Sequence, residues 1–235
     1  MEVRYLYHSA FAVKTPAHLL IFDYYYDTPR GAGFSRGVVD PEEIRGEDTV
    51  VFASHSHPDH YSPRIFAWRG TVPKIRYVLS SDIHTRENAA RIGPGEEKDL
   101  GDLRVRALRS TDQGVAFLVK ADGLCIYHAG DLNWWKWNED TEQENAVMER
   151  KFKAQVETLR GEKIDLAFLP VDPRQGDDAL LGLDWFMRTV GARDVIPMHS
   201  FGQTDFFSRL KTDPRTVPYR DTIHLYSHRG EVISL

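Results

Sequence analysis

His55-Ser56-His57-Pro58-Asp59-His60 follows directly on the apolar run Val50-Val51-Phe52-Ala53. The run reads as a short buried strand over 48–53, and the six residues after it as a loop leaving the strand end. Three imidazoles and a carboxylate within six positions is a density that packing does not require. Neutral imidazole nitrogen and carboxylate oxygen are the donors that hold zinc at about 2.0–2.2 Å. A chain leaving a strand can aim His55 and His57 at one point. Pro58 then turns it so that Asp59 and His60 face a neighbouring point. Paired metal ions in such a place suit hydrolysis, where an ion polarises the bond and a bridging water is deprotonated.

The remainder of the 235-residue chain sets limits on this reading. Hydrophobic residues make up 41% and charged residues 28%, a balance that builds an ordinary globular core. The formal net charge of −5 argues against a nucleic-acid partner, which calls for a basic face. No apolar stretch approaches the roughly 18–20 residues that span a bilayer, so no membrane partner is expected. The opening Met1-Glu2-Val3-Arg4-Tyr5 has no apolar signal core, which makes a cytoplasmic location the expectation. The single cysteine, Cys125, excludes an intramolecular disulfide and reads as a small buried hydrophobe within Leu124-Cys125-Ile126-Tyr127. No repeat, low-complexity tract or linker divides the chain, so one domain over 1–235 is expected.

Short β-rich runs come first, and helices alternating with strands follow. Residues 5–13 and 19–25 read as two paired strands joined by a turn at Pro16. Further strands are expected at 75–79, 103–108, 165–169 and 194–197, and a closing pair over 222–235 around Arg229-Gly230. Residues 115–119 and 124–128 read as a hairpin through Asp122-Gly123. Thr141 and Glu144 form a capping-box pattern, after which Met148, Phe152, Val156 and Leu159 recur at helical spacing up to Gly161. A second helix is expected to end near Val190, with Leu183, Phe186, Met187 and Val190 on one face. This order suggests two packed sheets with helices outside. The glycine-rich stretch 31–37 lacks the strand–helix context of a dinucleotide fingerprint and reads as a mobile loop.

His-x-His-x-Asp-His after a β-strand resembles the signature of the metallo-β-lactamase superfamily. The opening Tyr7-His8-Ser9-Ala10-Phe11 with Ile21-Phe22-Asp23 is similar to the branch that includes ascorbate-6-phosphate lactonase-like proteins. Tyr127-His128-Ala129-Gly130-Asp131 and Ile196-Pro197-Met198-His199 resemble the later motifs, and they stand in the right order. The resemblance implies a four-layer αββα sandwich of two mixed β-sheets, with helices on the outer faces. It implies His55 and His57 on a first metal, Asp59, His60 and His199 on a second, and Asp131 bridging them. Asp23 resembles the aspartate that orients a metal-binding imidazole, a contact that fixes tautomer and basicity. His8 stands either near the site or as an ordinary strand histidine.

The family plan has a further histidine between the first cluster and the bridging aspartate. Here the corresponding stretch is Arg109-Ser110-Thr111-Asp112-Gln113-Gly114, without one. Asp112 is the candidate replacement, and His84, in a helix-like stretch, a weaker one. Downstream of Asp131, Leu132-Asn133-Trp134-Trp135-Lys136-Trp137 offers an aromatic wall for a small-molecule substrate, with Trp134 and Trp135 as pocket residues and Arg174 as an anion contact. The expected activity is hydrolysis of an ester, lactone, amide or phosphoester by a metal-bound hydroxide, with Asp59 positioning or deprotonating the nucleophile. One or two divalent ions are expected, zinc first, with manganese and iron as alternatives. An iron-dependent oxidoreductase or dioxygenase on the same fold, and a non-catalytic metal-binding protein, are the competing readings.

Overall fold

Strands such as His18–Phe22 and Asp48–Ala53 are apolar at successive positions and buried on both faces, so each must sit between two layers. In a computed structural model covering residues 1–235, thirteen strands form two sheets. The strands are β1 (Glu2–Tyr7), β2 (Ala10–Lys14), β3 (His18–Phe22), β4 (Asp48–Ala53), β5 (Ile75–Ser80), β6 (Ala90–Ile92), β7 (Glu97–Asp99), β8 (Leu103–Arg109), β9 (Val115–Ala121), β10 (Leu124–His128), β11 (Leu166–Pro170), β12 (Asp194–Met198) and β13 (Val232–Ser234). One sheet has the order β13-β1-β2-β3-β4-β5-β6 and the other β12-β11-β10-β9-β8-β7. Both are mixed: β3 to β6 run parallel in the first, and β10 to β12 in the second.

Leu20, Phe22, Val50 and Phe52 point inward from β3 and β4, while Leu19, Ile21, Val51 and Ala53 join a second core on the outer face. The sheets meet through aromatic rings. Phe11 lies 4.5 Å from Phe168, Phe52 5.4 Å from Phe117, and Phe22 stacks on His128 at 4.9 Å. Outside the second sheet lie α1 (Glu142–Glu157) and α2 (Leu181–Thr189), which bury Phe152, Val156, Leu183 and Phe186. The Thr141–Glu144 capping box closes both of its reciprocal hydrogen bonds. Outside the first sheet, the cover is a 3-10 helix, Pro63–Gly70, which presses Ile65, Phe66 and Trp68 inward. The layer order is thus the αββα sandwich, with one outer layer built of 3-10 rather than α turns. No helix is long and apolar enough to cross a membrane. Cys125 is buried, and burial pushes its thiol up to about 11.

Four local expectations are corrected. Residues 5–13 are not one strand: β1 ends at Tyr7, His8 turns with φ +56°, and β2 begins at Ala10. The end of the chain does not form a hairpin, because β13 pairs with β1 and Ile223 bridges to Val195 instead. His84 lies exposed in an irregular segment rather than on a helix. The 31–37 loop is fastened: the Phe34 amide donates to Glu43 at 2.7 Å, and the Arg229 guanidinium donates to the Gly37 carbonyl at 2.8 Å.

Two glycines let the second sheet touch the first beside the histidine loop. Gly114 has φ +69°, and a Cβ there would overlap the Ser54 carbonyl oxygen. Gly130 has φ +51°, with Ser54 Cβ 2.8 Å from where its own Cβ would stand. This contact carries a backbone bond, Val115 N–H to Ser54 C=O, at 2.9 Å. Gly114→Ala is therefore expected to cost about 2–4 kcal/mol, from a left-handed non-glycine residue and overpacking together. Thermal unfolding of the variant should show it as a clear drop in Tm, and an unchanged Tm would contradict the account.

Candidate metal centre

The parallel strands of both sheets end at one shared edge, where open α/β sheets place their ligand sites. Asp23 follows β3, His55 to His60 follow β4, Asp131 follows β10, Asp172 follows β11 and His199 follows β12. His8 arrives from the β1–β2 turn. Five non-glycine residues in the chain have positive φ, and four of them (His8, Asp23, His199 and Phe201) stand here. Such backbone is held only where surrounding bonds over-determine it, and it concentrates at functional sites.

Asp131 organises the centre. Its Oδ1 lies 3.2 Å from His60 Nε2 and 3.2 Å from His199 Nε2, and its Oδ2 lies 3.4 Å from His55 Nε2. The opposite nitrogen of each ring is already engaged. His60 Nδ1 donates to Asp23 at 2.7 Å, and His199 Nδ1 donates to Asp172 at 2.9 Å. In the neutral rings both Nε2 atoms therefore present lone pairs to a carboxylate oxygen. His60 Nε2, His199 Nε2 and Asp131 Oδ1 are all buried without any hydrogen-bond partner. Buried acceptors that converge in this way need positive charge between them, which a proton on His199 supplies in the ion-free site and a divalent metal, whose chemistry they fit, would supply in its place.

A second group lies alongside. His55 Nε2 is 3.0 Å from His57 Nδ1, and His57 Nδ1 is 3.9 Å from Asp112 Oδ2. His57, Asp112 and Asp131 can bring one donor atom each within 4.8 Å of one another. Asp112 thus joins His57 and Asp131 in a possible donor set, while His84 joins no such cluster. Asp59 sits at the mouth, its Oδ2 3.7 Å from His8 Nε2.

The charge states follow from these neighbours. Burial lowers the His199 pKa, but the Asp131 and Asp172 carboxylates outweigh it and hold the imidazole at about 9. Burial, with His60 adding to it, pushes His55 down to about 4. Asp112 is raised by burial and by the nearby Asp131 carboxylate. His8 is driven far down by burial, so its ring is neutral.

Beside the centre lies a cavity of about 270 Å³, walled by Trp135, Trp137, Met148 and Arg174 and floored by Asp131 and His199. A larger depression of about 550 Å³ over the start of α1 holds none of the clustered donors. Trp135 donates its ring N–H to the Asp131 carbonyl at 3.0 Å and stacks on Trp137 at 5.8 Å. Trp134 does not line the cavity; its ring packs near Phe152 and over Lys153, and Trp137 stands in the wall instead. Arg174, on the cavity wall, pairs through Nε and Nη2 with Asp172, and its Nη1 makes no hydrogen bond within the chain.

Sequence reasoning gave no role to Ser54, Asp172 or Met148, and from the aromatic stretch it singled out Trp134 and Trp135 rather than Trp137. Ser54 bridges Asp23 and His55 through its hydroxyl, at 2.7 Å and 2.9 Å. Asp172 had one readable signal: like Asp23, it ends a strand whose parallel neighbour leads into a site histidine.

Clustered imidazoles and carboxylates at the common edge of two mixed sheets define a metal-binding α/β sandwich. The chain belongs to the metallo-β-lactamase superfamily: the Beta-lactamase superfamily domain matches residues 2–147. A UPF0173 metal-dependent hydrolase of Thermococcus onnurineus is 25% identical, over 85% of this chain and 84% of that protein. One of Thermococcus kodakarensis is 27% identical, but that similarity covers 56% of this chain and only 61% of the relative's length. Among solved structures, the novel metallo hydrolase Igni18 of Ignicoccus hospitalis superposes with a TM-score of 0.64 at 17% identity, covering 99% of this chain and 97% of that one.

Two outcomes follow from the charges. With no ion bound, His199 contributes stability in full below its unfolded pKa of about 6.5, and this is lost as pH rises through about 9. Zinc added at pH 7 to chelator-stripped protein must displace that proton, so on the order of one proton per chain should be released. Calorimetry in two buffers of different ionisation enthalpy measures it, and a release of zero would contradict the assignment. Asp172→Asn, which weakens the acceptor behind His199, should lower zinc affinity by about 10–100-fold.

Proposed function

We propose that the chain is a metal-dependent hydrolase that cleaves an ester, lactone, amide or phosphoester bond in a small molecule carrying an anionic group. The observation that carries this reading is the convergence of three unpartnered buried acceptors beside an aromatic cavity with a free arginine nitrogen. His55 Nε2, His57 Nδ1, Asp112 and Asp131 Oδ2 would hold a first ion. Asp59, His60 Nε2, Asp131 Oδ1 and His199 Nε2 would hold a second. Zinc suits this nitrogen and oxygen set, and manganese or iron can also be held by it.

Bound ions would supply Lewis-acid polarisation of the scissile group and a water of lowered pKa. The protein's own residues do the rest. Asp23, Asp172 and Ser54 fix the ring orientations of His60, His199 and His55. Asp59, less buried than Asp131, positions the attacking water or takes its proton. Trp135 and Trp137 exclude solvent from one side of the substrate, and Arg174 Nη1 meets its negative charge. The −5 net charge supports a small molecule rather than a polynucleotide as substrate.

Elemental analysis of metal per chain, for the wild type and Asp112→Ala, tests the reading together with a panel of lactones, esters and phosphoesters. The expected result is two zinc ions falling to one, with hydrolysis reduced by at least about tenfold in the variant. Two ions in both proteins would remove Asp112 from the ligand set. Iron in place of zinc would favour an oxidoreductase, and no metal at all would defeat the proposal.

A further inference from the structure

His8 enters the centre with a polarity opposite to that of the histidines around it. A ring nitrogen of His8 comes within 4.8 Å of ring nitrogens of His60 and His199, and its ring centroid is 4.1 Å from that of His199. Those two rings give their Nδ1–H to carboxylates and turn lone pairs inward. His8 does the reverse: the Phe201 backbone N–H donates to His8 Nδ1 at 3.1 Å. An Nδ1 that accepts cannot carry a proton, so the proton is on Nε2 and points into the site. That nitrogen is buried and no atom of the chain accepts from it. Asp59 Oδ2, at 3.7 Å, is beyond hydrogen-bond reach.

The fold goes to some length to hold this ring. The His8 amide donates to the Tyr5 hydroxyl at 2.9 Å, and the His8 carbonyl accepts from the His199 amide at 3.2 Å. His128, buried between the sheets, donates from Nε2 to the next carbonyl, Ser9, at 2.9 Å. The ring stacks on Phe201 at 3.8 Å, and the residue keeps a left-handed φ of +56°. A metal ligand would need the other tautomer, with an acceptor behind Nδ1 as Asp23 and Asp172 provide elsewhere.

We propose that His8 is a hydrogen-bond donor inside the centre, not a metal ligand: buried behind the cavity wall, its Nε2–H meets an anionic oxygen that enters among the donors of His60 and His199, the oxygen on which charge develops as the bond is attacked. A fixed donor aimed at developing charge stabilises it without reorganisation. The inference rests on the hydrolase reading for its chemistry, but not for the tautomer.

Nitrogen-15 NMR of the histidine rings in the full chain, with and without zinc, is the first test. The expected result is a protonated Nε2 and a bare Nδ1 on His8 in both states; a bare Nε2 would overturn the proposal. Zinc per chain in His8→Ala should equal that of the wild type, and loss of an ion would make His8 a ligand. Inorganic phosphate titrated into the zinc-loaded protein supplies the anionic oxygen. His8→Ala should bind it at least about tenfold more weakly, and His8→Gln, which keeps an N–H at that reach, within about threefold of the wild type. Unaltered phosphate affinity in His8→Ala would overturn the donor role. Should His8→Ala not fold, the wild-type tautomer and His8→Gln still decide. A wild type that takes up no zinc would defeat the hydrolase reading, whereas a bare Nε2 in the zinc-free protein would defeat this one.

Discussion

Asp131 Oδ1, His60 Nε2 and His199 Nε2 face one another at 3.2 Å contacts, and two of the three are backed by a carboxylate that claims the far side of the ring. Left neutral, this is a set of acceptors with nothing to accept from. A fold can keep it buried only where a positive charge settles among them, and the rest of the edge is arranged around that requirement. The left-handed turns at Asp23 and His199 place each residue where its strand alone would not. The glycines at 114 and 130 bring the sheets close enough for Asp131 to reach across.

Local chemistry was the most legible part of the chain. Four donors in six residues after an apolar strand can be read without a structure, because the strand and the loop are contiguous. Asp131 and His199 were readable through motif order and as polar residues that follow apolar strands. Asp172 and Ser54 were not, because their roles come from neighbours in space: Asp172 serves a histidine 27 positions on, as Asp23 serves one 37 positions on. The same device thus occurs once in each sheet, a repeat of geometry with no repeat of sequence for a scan to find.

The misreadings have physical causes as well. Residues 5–13 alternate like a single strand, and nothing local shows that tertiary hydrogen bonds force His8 into a left-handed turn. The tryptophans at 134, 135 and 137 are equivalent in composition. Their fates separate when Lys153 on α1 captures Trp134 while the Asp131 carbonyl captures Trp135. The closing segment carries a reversal signal at Arg229-Gly230. Yet Gly230 packs against Ser35, and the strand beyond it pairs with β1, far away in sequence.

Because the donors come from strand ends in both sheets, an ion held among them would act as a clamp across the sandwich. Prising the layers apart would then require breaking metal–ligand bonds as well as separating Phe11, Phe22 and Phe52 from their partners. Binding confined to the folded state adds directly to its free energy. The lifetime of this protein against proteolysis would then track the supply of free metal around it. Scarcity would remove the molecule itself, and not merely silence its chemistry.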